Sequence, residues 1–71
     1  MHHTTEWTDT IEVGGVHYTV HIARRDVGYV VTSPDLEGLE VYAHSPVSVM
    51  SEARVGIVQV LAAEREADAN G

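Results

Sequence analysis

Tyr29-Val-Val-Thr-Ser-Pro-Asp-Leu-Glu-Gly-Leu-Glu-Val-Tyr-Ala-His-Ser45 is the stretch whose reading decides the fold. Tyr29 to Thr32 is β-branched and aromatic and reads as a strand. Ser33-Pro34 ends it, because proline cannot donate to a ladder. Asp35 to Gly38 turns the chain. Leu39 to Ala43 then alternates, with Leu39, Val41 and Ala43 on one face and Glu40 and Tyr42 on the other. Ser45 is a good helix N-cap. Pro46 fits the first helical position, where its missing N–H costs nothing.

Upstream, the chain supplies more strand. Trp7, Asp9, Ile11 and Val13 share one face, and Thr8, Thr10 and Glu12 the other. Gly14-Gly15 suits a type I′ hairpin turn, which pairs Val13 with Val16, Glu12 with His17 and Ile11 with Tyr18. Val16 to Ala23 alternates most clearly, with Val16, Tyr18, Val20 and Ile22 opposed to His17, Thr19 and His21. A four-residue loop from Arg25 to Gly28 would pair Arg24 with Tyr29 and Ile22 with Val31. His17 and His21 lie about 13 Å apart along a strand at ~3.3 Å per residue, too far to share a metal. His2 and His3 read as a polar tail or tag remnant rather than a metal site.

Downstream, the spacing predicts a helix from Ser45 to about Arg65. Val49, Met50, Ala53, Gly56, Ile57, Val60 and Leu61 form its apolar stripe. Val55 to Val60 is rich in β-branched residues, so a strand competes there, but the cap, length and stripe favour helix. The expected fold is α+β: one domain, residues 1–71, with a four-stranded antiparallel sheet in chain order. The C-terminal helix should pack Val49 to Leu61 on Val16, Tyr18, Val20, Ile22, Tyr29, Val31 and Leu39. Residues 1–6 and 66–71 should fray.

Val47, Val55, Val58 and Ala62 fall on the face opposite the core stripe. A helix with nothing over it would be charged there, so these four are the expected homodimer interface. The outer sheet face, with His17, Thr19 and His21, is the competing surface.

Composition narrows the function classes. The chain of 71 residues has a formal charge of −7 and only four cations, all arginine. Adjacent Arg24 and Arg25 do not make the cation cluster that displaces counterions from phosphates, so direct nucleic-acid binding is not expected. An acidic surface suits docking onto a basic protein. No apolar run approaches the ~20 residues that span a bilayer. The first residues lack the basic and apolar regions of a signal peptide, and there is no Cys. The expected location is therefore the cytoplasm.

Pro34, Asp35, Leu36 and Gly38, following the Tyr29 strand and preceding Ala43-His44-Ser45 and a helix, resemble the N-terminal domain of the HicB antitoxin family. The likeness covers about Val16 to Glu64. Leu39 stands where that family usually has Cys, Ala43 where it has Gly, and Ser45 where it has Thr. Val47 and Ser48 replace its usual Glu-Glu. Members often carry a C-terminal DNA-binding module and pair with a small ribonuclease toxin. This chain stops after the helix, so the resemblance implies a stand-alone binding domain.

No nucleophile–base pair, phosphate loop or ligand cluster is visible, so no catalytic residue, metal or cofactor is expected. Asp35, Glu37 and Glu40 could group near the loop. Their ordinary reading is a solvated turn, and their candidate role is contact with a basic partner. A structural homo-oligomer without catalysis is the alternative.

Overall fold

A computed structural model describes residues 6–70. The expected readings of His2 and His3, and of Gly71, lie outside them. Four strands form one antiparallel sheet in chain order: β1 (Glu6–Val13), β2 (Val16–Arg25), β3 (Gly28–Thr32) and β4 (Glu40–Ala43). A single helix, α1 (Val49–Asn70), packs on one face. The α+β architecture is the expected one.

The β1–β2 register is the one that the glycine pair demands: Val13 opposes Val16, Glu12 opposes His17 and Ile11 opposes Tyr18. Gly14 and Gly15 have φ of 59° and 83°, the left-handed values of a type I′ turn. The β2–β3 connection keeps the expected register, Arg24 to Tyr29 and Ile22 to Val31. Its loop is shorter than expected, because Arg25 and Gly28 also pair and only Asp26-Val27 turns. Gly28 allows this through a φ of 102°. A Cβ there would run into the Ala43 carbonyl of the next strand.

Val20, Ile22 and Val31 bury against Val49, Ala53 and Ile57 of the helix, and Leu36 and Leu39 close the core from the loop. Residues 55–61 are helical, as the stripe requires. Val16, expected in the core, is exposed. It sits beside the hairpin tip, at the end of the sheet. The outer face is not wholly solvated either. Across the row Glu6–Ala23–Val30–Tyr42, the small central pair Ala23 and Val30 is buried between larger neighbours.

The helix begins later than expected. Ser45 caps a turn over residues 46–48, where the Ser48 N–H donates to Ser45 Oγ at 3.3 Å and to its carbonyl at 3.2 Å. Ser48 then occupies the N-cap position, its carbonyl accepting from the Glu52 N–H at 2.9 Å. Two Ser signals three residues apart make the first look like the start. At the other end, residues 66–70 continue the helix rather than fray, and Glu6 already belongs to β1.

Candidate functional site

The acidic loop departs from a simple solvated turn. β3 stops at Thr32, opposite His21, and the next ladder position on β2 is Thr19. Side chains fill that place. The Thr19 N–H donates to Asp35 Oδ2 at 2.7 Å, and the Ser33 hydroxyl donates to the Thr19 carbonyl. The Asp35 N–H in turn donates to Ser33 Oγ at 3.1 Å. Ser33 and Asp35 thus extend the β2–β3 ladder past the proline. Asp35 is held by the fold, whereas Glu37 and Glu40 are exposed with no hydrogen bond among the described residues. The loop also brings Leu36 and Leu39 into the core, so its path is fixed.

Beside it, Gly38 to Val41 and the helix residues Gly56, Gln59, Val60 and Ala63 line a groove of about 240 Å³. Beyond Ala63 the helix runs on through Glu64, Arg65, Glu66 and Asp68, all exposed, three carboxylates against one guanidinium. Its last turn carries no basic residue. Carboxylates here add to the partial negative charge of a helix C-terminus, the unfavourable sign for an isolated helix. The sequence reading treats residues 66–71 as frayed and so leaves this tail out of the candidate site.

Of the four residues expected on the helix back, three lie there. Val55 (53% exposed), Val58 (49%) and Ala62 stand on the outer face of α1. Val47, 92% exposed, lies in the turn before the helix and is not part of that face. Val58 and Ala62 border a second shallow groove with Val13, Leu61 and Arg65.

On the outer sheet face, His21 Nε2 lies 2.7 Å from Glu6 Oε1, and His17 opposes Glu12. The His21–Glu6 pair is open to solvent and stabilises little. Among the described residues no group of three His, Asp or Glu is placed to hold a metal. Arg24 and Arg25 sit at the open β2–β3 turn with exposed Val27. Among the described residues no helix is long and apolar enough to cross a membrane.

The two sheet edges differ. Beside the two-residue β1–β2 turn, every second residue of β1, including Thr10 and Glu12, aims its backbone groups away from β2. The Thr10 N–H donates to Asp9 Oδ1 at 2.8 Å, and Arg54 Nη1 donates to the Glu12 carbonyl at 2.8 Å. On β4 the outward residues are Glu40 and Tyr42, and no side chain among the described residues bonds to their backbone. Tyr42 is 66% exposed. Comparison with protein-family models, with curated proteins and with solved structures finds no match for this chain.

Proposed function

We propose that this chain is a protein-binding module resembling a HicB-type antitoxin, which acts in the cytoplasm as a homodimer and docks a small basic protein such as a ribonuclease toxin. The observation that carries the reading is the acidic end of the molecule. Glu37 and Glu40 project beside a groove from which the helix emerges with Glu64, Glu66 and Asp68 and no basic residue in its last turn. Carboxylates stacked on the negative end of a helix dipole cost stability in the free chain and gain from a cation. A basic partner supplies that cation, and charge of this kind raises association rate and specificity more than affinity. The exposed valines Val55 and Val58 offer apolar contact on the neighbouring helix face. No catalytic step belongs to this reading.

The test is co-purification from the native cell, followed by association kinetics with the basic protein recovered. Glu37→Gln, Glu66→Gln and Asp68→Asn together should slow association at low salt by about tenfold or more, and added salt should erase the difference. Asp35 is left intact because it holds the fold. A partner that binds the triple variant as fast as the parent chain overturns the acidic docking site. The alternative, a structural homo-oligomer, is favoured by the uncapped β4 edge. Recovery of the chain with only copies of itself would select it.

A further inference from the structure

We propose that β4 is a self-pairing edge, through which two copies of the chain join antiparallel with Tyr42 facing Tyr42 of the second copy and Glu40 facing the second copy's His44. Two four-stranded sheets would become one continuous sheet. The proposal deepens the homodimer of the proposed function and needs no basic partner; it commits Glu40 to the joint and leaves Glu37, Glu66 and Asp68 for docking.

The argument begins with the difference between the edges. Unpaired strand edges invite pairing, and proteins blunt the ones that must stay single. Here the half of β1 next to its turn is blunted by Asp9 and by Arg54 reaching over from the helix, while the outward backbone groups of Glu6 and Thr8 carry no side-chain bond among the described residues. β4 has neither device among the described residues, and its outward N–H and C=O groups at Glu40 and Tyr42 are free to pair. Only residues of this outward set can bond across an antiparallel joint, which restricts the register. Pairing Tyr42 with its own copy uses the most positions, because Glu40 and His44 then oppose each other twice. His44 occupies the place in the β3–β4 register next to Gly28, so β4 need extend by only one residue.

The side chains agree with that register. Glu40 meets an imidazole rather than another carboxylate. The two Glu40 side chains, four residues apart along the joint, are separated by about 13 Å at ~3.3 Å per residue, beyond the screening length of physiological salt. Tyr42, 66% exposed in the single chain, meets a second ring across the two-fold axis, a favourable cross-strand pair. That contact continues the half-covered outer row Ala23–Val30–Tyr42. On the core face, the second copy's small Ala43 falls opposite Val41, at the mouth of the groove between β4 and the helix.

The chain has no Cys, which makes a direct test simple. Residues facing one another as a bonded antiparallel pair have Cα atoms about 5.5 Å apart, within disulfide reach. Under mild oxidation Tyr42→Cys should therefore cross-link into a dimer in most of the protein, while Glu40→Cys should stay single. By sedimentation the unmodified chain should show twice its mass, and Tyr42→Pro, which removes the outward N–H, should be monomeric. Tyr42→Thr keeps that N–H and should still dimerise. Far-UV circular dichroism checks that Tyr42→Pro is folded, and if it is not, the cysteine pair decides. An unmodified chain that is monomeric at its highest soluble concentration overturns the proposal. So does a dimer that fails to cross-link at Tyr42→Cys, or one that Val58→Glu dissociates while folded Tyr42→Pro does not.

Discussion

Asp35 illustrates how a residue that looks like surface becomes structural. Its carboxylate takes the Thr19 N–H where proline has ended the neighbouring strand. Asp35→Ala should lower stability by about 1 kcal/mol, the usual worth of one such bond, read as a shifted urea midpoint. Glu37→Ala should leave that midpoint in place, and equal behaviour of the two variants would remove the structural role. Gly56 is a second case. Gly to Ala inside a helix normally gains up to about 1 kcal/mol. Here an added Cβ would press on Val41, whose branched side chain has little freedom to yield, and on Leu39. Overpacking of about 1–3 kcal/mol should outweigh the propensity gain, so Gly56→Ala should melt lower than the parent chain. A higher melting temperature would show that the helix can lift off β4 without cost. The roles of Asp9, Asp35 and Arg54 were not legible in the sequence. Each depends on where a distant strand leaves a backbone group unpaired, and no local periodicity encodes that.

At the scale of the element, the hairpins were legible because their turns and alternation agree. Gly14-Gly15 admits one tight turn, and a slip of one residue in β1 would carry Ile11 to the face of His17 and Thr19, away from Val20 and Ile22. The helix stripe was legible for the same reason. Its ends were not. Ser45-Pro46 and Ser48 are both competent starts, and nothing local ranks them. At the C-terminus, low apolarity suggested fraying, yet Ala67 and Ala69 among Glu and Arg are strong helix formers. Glu66→Lys with Asp68→Lys replaces charges of the wrong sign for the helix dipole. Each should add about 0.3–1 kcal/mol at low ionic strength, raising the melting temperature. No rise in low salt would mean that the last turns melt separately from the core.

At the scale of the molecule, one helix covers one face of four strands among the described residues, so the core is thin and continuous. Ile57 lies fully buried at its centre. Ile57→Ala should cost about 2–5 kcal/mol. Against the roughly 5–15 kcal/mol of an ordinary domain, that leaves little or nothing in a chain of this size. Self-association would add stability from outside the core. If the native chain pairs through β4 and the unfolded chain does not, mass action ties folding to protein concentration. The melting temperature of the parent chain should then rise as the protein is concentrated. Tyr42→Pro should melt at one temperature over the same range, and that temperature should match the dilute limit of the parent within the small cost of the substitution. The paired edge also predicts which backbone amides gain protection. The Glu40 and Tyr42 N–H groups should exchange slowly in concentrated protein and quickly on dilution, while the Thr10 N–H, already bonded to Asp9, should not respond. A concentration-independent melt, or protection that tracks the helix face instead, would place the stabilising contact elsewhere on the surface.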